Sequence, residues 1–527
     1  MVLRIKSQMV PNASPGRIAV STGLAVLMAA PILGFSSRAG VAEPSSRRPP
    51  VTLTPNSGGI CPAQLDQAIA AIVNRPEFRR GRWGIVVQTL GGKTLYSQAA
   101  DQYFIPASNV KLFTTAAALL RMGAKFRWIT PFYARESGAM LAELRVVGQG
   151  DPTLKQTDLE QVAADLHRQG VRRIRQLQVE DRSLDTTGIN PTWEWGDLQA
   201  ANAVPVSHLM VDENTIGLNL LPQAIGQPLQ VQFVDPEAAA QWQVVNQSRT
   251  VTAQEPEWIE VQRDLFRPIL RVTGQLRVGS TPEPAFVAVL EPSRHFLTKL
   301  QAALRKQGIK VDQAIVQASP SEDKQNLYRI AHLSSPPLAE VIATTNQDSN
   351  NLYAEALLQS LLAQAGGTVS PPTPEADPLT ILQSTLATVG VDPQAYQLQD
   401  GSGLSRRNLA TPTSLIQLLK GMHASPQADI FRASLAVAGQ TGTLAQRLRG
   451  TVGAGKLQGK TGTLSAVVSL SGYLNPPRFS PLVFSVLVNQ TGVANSQVRQ
   501  AIDELVVVLT RLQSCGENLT RRPGVDG

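Results

Sequence analysis

Four residues, Lys460-Thr461-Gly462-Thr463, constrain this chain more than any other stretch. They follow an apolar, glycine-punctuated approach from Thr451 to Gly459 and run into a strand-like segment, Leu464 to Tyr473, so the lysine is expected on an edge strand. Far upstream stands Ser108-Asn109-Val110-Lys111, preceded by Pro106 and Ala107. It leads into Lys111 to Met122, a stretch dense in Ala and Leu that reads as a helix. Residues three apart on a helix share a face, which brings the Ser108 hydroxyl within hydrogen-bonding reach of the Lys111 amine. A serine is a poor nucleophile until a base takes its proton, and a lysine that is crowded by cations and partly desolvated loses enough basicity to serve. The helix N-terminus also directs its positive dipole end at a developing oxyanion.

The spacing S-x-x-K is weak alone, since average residue frequencies put roughly one or two in a chain of this length by chance. Ser321-Glu322-Asp323-Lys324 repeats it, but in an acidic stretch after Pro320 with no apolar helix behind it, and reads as a solvated loop. A third element is Ser349-Asn350-Asn351, which opens the helically periodic segment Leu352 to Ala363. By itself Ser349 suits a helix N-cap. In company with the other two motifs, serine and asparagine two apart at a helix start point into a common cleft, the hydroxyl to relay a proton and the amide to hold a carbonyl or the lysine amine.

The order S-x-x-K, S-x-N, K-T-G is that of penicillin-binding proteins and class A β-lactamases. The chain from about residue 60 to 514 resembles one branch, the low-molecular-mass class C D-alanyl-D-alanine carboxypeptidase/endopeptidases. That branch has a large insertion between the first two motifs, and here Ser108 and Ser349 are about 240 residues apart. Gly148-Gln149-Gly150-Asp151-Pro152-Thr153-Leu154, Trp193-Glu194-Trp195-Gly196-Asp197 and Asp400-Gly401-Ser402-Gly403-Leu404-Ser405 also look like that family. Asn350 departs from the aspartate in the usual form of the second motif, at a side chain given no chemical role.

The resemblance implies a serine penicillin-recognising fold of the α/β (α+β) kind: an antiparallel five-stranded sheet flanked by helices, with a large inserted β-rich region of one or two domains. It implies that Ser108 attacks a D-alanyl-D-alanine bond or a cross-link ending in D-alanine, in peptidoglycan stem peptides. Lys111 would take the serine proton, Ser349 would protonate the leaving amine, and Asn351 would hold the acyl-chain amide and Lys111. Lys460 would face the substrate carboxylate and lower the Lys111 pKa by like-charge repulsion. Thr461 would bond that carboxylate, Gly462 would permit close backbone approach, and the N–H groups of Ser108 and Thr463 would form the oxyanion hole. β-Lactams would acylate Ser108; no cofactor or metal is required. Asp151 is a candidate contact for a substrate ammonium, although its Gly-Asp-Pro-Thr setting equally suits a turn. Transpeptidase and β-lactamase activity share the same motifs, and a non-catalytic wall-binding protein is the reading from another class.

Helix, hairpin (Arg82 to Leu90 and Thr94 to Gln98) and Ser108 helix at one end, with strands Leu464 to Leu474 and Pro481 to Asn489 and a last helix at the other, indicate one domain split by an insertion. The expected division is 60–128 and 324–515 for the catalytic domain, with helices from about 330 to 450. Residues 129–218 and 284–323 form the inserted domain and 219–283 a nested β-rich module, with Ala142 to Val147 and Ala285 to Leu290 as partners in one sheet. Within the insertion, helices are expected near Asp158 to Gln169 and Ser293 to Gln307, and the proline-rich piece Gly366 to Pro378 reads as a surface loop.

Residues 1–42 carry Arg4, Lys6 and Arg17, no acidic residue, an apolar stretch from Ile18 to Phe35 and a small-residue exit at Gly40-Val41-Ala42, the layout of a secretion signal. The alternative is an uncleaved anchor with peripheral membrane association; either way the catalytic part faces outward, in the periplasm or on the outer face of the cytoplasmic membrane. Those residues hold four basic side chains in all, Arg38 being the fourth, so without them the formal charge falls from +8 to +4. No basic run interleaved with aromatics suggests nucleic acid, and Arg79-Arg80-Gly81-Arg82 and Arg172-Arg173-Ile174-Arg175 read as solvated faces. Residues 43–59 read as a linker and 516–527 as a flexible tail. Cys61 precedes a helical stretch and Cys515 follows the last one. If those helices lie antiparallel on one sheet face, the two thiols are neighbours and an oxidising compartment would join them; two free thiols are the alternative. The histidines at 167, 208, 295, 332 and 423 are scattered, and Gln440-Thr441-Gly442-Thr443 shows that x-T-G turns recur without a lysine.

Overall fold

The computed structural model describes residues 58–515 apart from 182–187, 200, 240–241, 319–325 and 363–376. The signal, the tail, most of the linker and of the proline-rich piece, and Ser321 to Lys324 lie outside the described residues.

The catalytic sheet is antiparallel throughout and runs in the order Ala436–Val437, Leu457–Leu464, Val467–Leu474, Leu482–Asn489, Arg82–Thr89, Thr94–Gln98. Its five full strands are joined by a sixth, two residues long. Alternation along the central strands feeds two cores, because successive side chains leave a strand on opposite faces. Ile85, Val87, Phe484, Val486 and Val488 pack under the terminal helices Leu65–Val73 and Asn495–Thr510. Val86, Val483 and Leu487 face the other way, onto Phe113 and Leu119 of the helix Val110–Met122 and Leu415 and Leu419 of the helix Pro412–Ala424. The Ser108 helix is therefore buried against both the sheet and the helices that follow residue 335.

The Lys460 motif lies within the strand Leu457–Leu464, not before the strand expected from Leu464 onward. Ala466, with φ +58°, turns the chain after Leu464 and starts the partner strand at Val467. Alternating small and apolar residues continue across this turn, which hides it in the sequence. On the other side, the short strand pairs with Gln458 and Gly459, so its ladder stops just before Lys460.

The insertion differs from expectation in two respects. Its first sheet is mixed, in the order Lys310–Gln317, Arg173–Glu180, Met140–Val147, Ile129–Arg135, Leu327–Ser334, with the first three strands parallel. Parallel neighbours need crossovers, and the expected helices, Gln156–Arg168 and Pro292–Lys306, precede Arg173–Glu180 and Lys310–Gln317 and supply them within a region that holds more strand than helix. Leu327–Ser334, expected in the catalytic domain, is the edge strand of this sheet because it pairs with Ile129–Arg135. Ala142 to Val147 and Ala285 to Leu290 are not partners: Glu283–Ala288 pairs with Thr215–Leu221 in a three-stranded sheet. A second three-stranded sheet, Gln243–Val251, Ile269–Arg277 and Trp258–Arg263, completes the nested module.

Cys61 and Cys515 are joined in a disulfide, with Cα atoms 5.7 Å apart. Ile60 and Leu512 pair as a bridge beside it, which fixes the two chain ends together. Closing so long a segment restricts the unfolded chain most, and Cys61→Ser should lower unfolding stability by about 2–4 kcal/mol. Urea titration of the oxidised wild type and the variant measures this. Equal midpoints, or no mass difference between native and reduced, alkylated protein, would contradict it.

Candidate active site

Ser108 occupies the 3-10 turn Ala107–Asn109 at the start of the helix Val110–Met122. Ala107 has φ +48° and Ser349 φ +60°, both in the left-handed region. Such conformations cost on the order of 1–3 kcal/mol each and persist where surroundings over-determine them. Gly403 lies so close to the Ala107 carbonyl that any side chain on it would overlap that oxygen. The turn is also tied to the motif strand: Asn109 Nδ2 donates to the Lys460 carbonyl at 3.2 Å and to Ser469 Oγ at 2.6 Å, while Ser469 Oγ donates to the Pro106 carbonyl at 2.8 Å.

These ties bring the three motifs together. Lys111 Nζ lies 3.2 Å from Ser108 Oγ and donates to Asn351 Oδ1 and to the Ser402 carbonyl, each at 2.6 Å. Asn351 Nδ2 donates to the Asn202 carbonyl at 2.8 Å, which assigns its oxygen to the lysine. Lys460 Nζ donates to Ser349 Oγ and to the Thr461 carbonyl, each at 2.9 Å. Both amines are buried, whereas Ser108, Ser349 and Asn351 are half-exposed at the cleft.

Burial sets the electrostatics. Loss of water pushes Lys111 down to about 7, against the opposing pull of Asp400 and Glu355. Lys460 falls well below the usual lysine range, first through burial and then through repulsion from Lys111. The like-charge effect thus falls on Lys460, the reverse of the expected direction, while Lys111 is lowered by burial. Burial likewise raises Glu355 to about 7, with Asp400 adding to the effect.

Gly462 packs against the nucleophile turn, where an added Cβ would stand 2.9 Å from the Pro106 carbonyl and 3.0 Å from the Ser108 amide nitrogen, and would overlap Ser469 Oγ. Thr463 is exposed beside it on the strand, and Thr461 Oγ1 donates to Thr443 Oγ1 at 2.8 Å. Thr443 belongs to an x-T-G turn that sequence reasoning treated as incidental. Also missed were the backbone carbonyls of Ser402 and Asn202, which have no side-chain signature, and the buried acids Glu355 and Asp400. Glu355 had one available signal: an acid four residues after Asn351, inside an apolar helical run.

Asp151 does not join this cluster. It is buried in a turn, accepts from the Thr153 amide at 2.9 Å and from its hydroxyl at 2.7 Å, and burial raises its carboxyl to about 6. Its neighbours Pro152 and Thr153 line a cavity of about 1180 Å³ that Glu213, Lys299, Phe286 and Tyr353 also border. Tyr353 is two residues past Asn351, so this cavity opens beside the second motif instead of over Ser108.

A serine and two buried lysines converging on one half-open cleft form a site suited to acyl transfer, on a penicillin-recognising fold. The sequence model of the D-Ala-D-Ala carboxypeptidase 3 (S13) family matches residues 65–512, and the chain belongs to that family. It is 33% identical over 456 residues to the D-alanyl-D-alanine carboxypeptidase of Actinomadura sp., covering 83% of this chain and 84% of that protein. It is 27% identical over 462 residues to the penicillin-sensitive carboxypeptidase A of Dictyostelium discoideum, covering 82% and 87%. The fold matches that of penicillin-binding protein 4 from Haemophilus influenzae with a TM-score of 0.70, at 22% identity over 84% of this chain and 98% of that one.

Because Pro106, Asn109 and Ser469 are held by one another, Gly462→Ala cannot be accommodated by a single side-chain rotation. It should destabilise the protein by about 1–3 kcal/mol, as overpacking does, read from the urea midpoint. An unchanged midpoint would show that the strand and the turn are less tightly apposed.

Proposed function

We propose that this chain is a serine-type D-Ala-D-Ala carboxypeptidase and DD-endopeptidase that acts on peptidoglycan stem peptides and cross-links through an acyl-enzyme on Ser108, and that β-lactams acylate the same serine. The observation that carries this reading is the setting of Lys111 beside Ser108. A neutral amine has two N–H groups and one lone pair. Asn351 Oδ1 and the Ser402 carbonyl only accept, so they take both N–H groups. The lone pair is left for the third direction, toward the Ser108 hydroxyl at 3.2 Å. Burial brings the amine down to about 7, so a large share of it is unprotonated near neutral pH.

In the forward step Ser108 Oγ bonds to the carbonyl carbon as its proton moves to Lys111. The N–H groups of Ser108 and Thr463 face the developing oxyanion. Collapse of that intermediate breaks the peptide bond, and Ser349, held by Lys460, passes its proton to the leaving amine and regains one from the Lys111 ammonium, which leaves Lys111 neutral again. Water then attacks the ester by the reverse proton path. Lys460 loses charge in the empty cleft first because it is buried and then because Lys111 repels it; an arriving terminal carboxylate offsets both and favours the ammonium form. Thr461, steadied by Thr443, offers that carboxylate a hydroxyl. Asp151 behind the cavity wall is the candidate for an ammonium group farther along the peptide.

We take residues 60–128 and 335–515 as the catalytic domain and 129–334 as the insertion, with the nested sheets at 215–288. A peptidoglycan substrate places the enzyme outside the cytoplasm, and the periplasm is the location proposed. Among the described residues no helix is long and apolar enough to cross a membrane.

Two experiments test the reading. Intact-mass measurement should show one penicilloyl adduct on the wild type and none on Ser108→Ala, while product masses from a stem pentapeptide show loss of one D-alanine with the wild type alone. An adduct or turnover in the folded Ser108→Ala protein would overturn the assignment. The rate of acylation should also rise with pH through about 7, because Lys111 must be neutral to accept a proton, and Lys111→Ala should acylate about 10²–10⁴-fold more slowly. A rate flat across that range would remove Lys111 from the role of base.

A further inference from the structure

The Ser402 carbonyl fixes Lys111, and two buried acids that take no part in the reaction fix Ser402. The Ser402–Gly403 peptide accepts from Lys111 at its oxygen and donates its N–H to Asp400 Oδ1 at 2.8 Å. The two preceding amides, of Gly401 and Ser402, donate to Glu355 Oε1 at 3.0 and 2.8 Å. Asp400 also accepts from the Ser405 amide at 2.6 Å, Asn408 Nδ2 at 2.8 Å and Trp193 Nε1 at 3.0 Å. Asp400 is fully buried and Glu355 is 6% exposed. Burying a carboxylate costs several kcal/mol unless its partners compensate. Two of them beneath a loop of this length exceed what a turn requires.

A peptide whose N–H bonds to a carboxylate is polarised, which strengthens its carbonyl as an acceptor. The Ser402 oxygen is thus held in place and made a better partner for the amine. We propose that Asp400, supported by Glu355, is a positioning residue for Lys111: acting through the Ser402–Gly403 peptide, it holds the amine so that its lone pair faces Ser108. This rests on Lys111 being the base, as proposed above. The base is oriented here by a third group, as in other activated nucleophiles, but through an intervening peptide.

The charged groups that face Lys111 are Lys460 from the motif strand, Glu355 from the helix Asn351–Ser360 and Asp400 from the loop. Both acids favour the ammonium form of Lys111 and oppose the effect of its burial. Removing the charge of Asp400, or the share of charge that Glu355, raised to about 7, carries there, therefore lowers the pH at which the amine becomes free, while loosening the peptide lowers the rate once it is free.

The test is acylation by benzylpenicillin as a function of pH in Asp400→Asn and Glu355→Gln, two near-isosteric changes, with thermal melting to confirm folding. Asp400→Asn should lower the high-pH plateau on the order of 10²-fold, as misplacement of a catalytic group does, and should move the acid limb to lower pH. Glu355→Gln should move the limb in the same direction with a smaller loss of rate, and it carries the test alone if the first variant does not fold. A plateau lowered with the limb unmoved would reduce the pair to a structural role and overturn the proposal, as would folded variants with the wild-type profile. If Lys111→Ala acylates as fast as the wild type, the reading of the base itself fails. A wild-type limb near 7 that neither variant shifts sinks the positioning role alone.

Discussion

The rest of the structure depends on removing water from the Lys111 amine. In water that group is an ammonium ion and has no lone pair to offer. Once buried it becomes a base near neutral pH, but only if something replaces the water that bonded its hydrogens. The replacements come from separate parts of the chain: an amide from the second motif and a carbonyl from the loop at 400–405. No local segment can provide this arrangement. The sheet, the helix buried beneath it and the helical layer after residue 335 are the means by which those atoms are brought to one point and kept there.

The same burial applied twice makes the two lysines unequal. Lys111 retains help from the acids behind it, whereas Lys460 has burial and the repulsion of Lys111 to contend with, and loses its charge more readily. An empty cleft therefore avoids holding two bare ammonium groups side by side. In the reaction proposed above, a substrate carboxylate bound there would change that balance and restore charge to Lys460 at the moment it has a partner. Ser349, within 2.9 Å of that amine and held at φ +60°, is the hydroxyl placed to respond.

The motifs were legible because each joins a chemical side chain to a local backbone preference. Ser108 stands before an Ala- and Leu-rich helix, Ser349 before a helically periodic run, and Lys460 in a β-forming stretch. The two-sided burial of the catalytic sheet could also be read, since its strands are apolar on both faces. Pairing across the insertion could not. Ala142 to Val147 alternates apolar residues with Glu143 and Arg145 whereas Ala285 to Leu290 is apolar throughout, and nothing in either names its neighbour; the parallel order emerges from where the helices Gln156–Arg168 and Pro292–Lys306 return the chain. The support beneath Lys111 was hidden for another reason. Asp400 lies in a Gly- and Ser-rich stretch that stood out by its resemblance to the family but carried no role for the acid, and Ser402 acts through its backbone oxygen, which every residue possesses.

An insertion of this size between the first two motifs would be expected to hang clear of the chemistry, yet it reaches the second motif at two adjacent residues. The Asn202 carbonyl takes the Asn351 amide, and Glu213 Oε2 accepts from Asn350 Nδ2 at 2.8 Å. Glu213 is presented by three successive residues in the left-handed region, Asp212, Glu213 and Asn214, with φ of 50°, 55° and 51°. Asn214 anchors that turn by donating to the Pro205 carbonyl at 2.9 Å. Strain of this kind survives where the neighbouring structure enforces it, and here it aims a carboxylate at the helix start that carries Asn351. A second loop does the same from the other side: Trp193 bonds Asp400, and Thr192 Oγ1 donates to Ser405 Oγ at 2.7 Å. The insertion is therefore a wall of the active site as well as an appendage of the fold. From its place between the first and second motifs its loops bond Asn351 directly and reach the Ser402 peptide through Asp400.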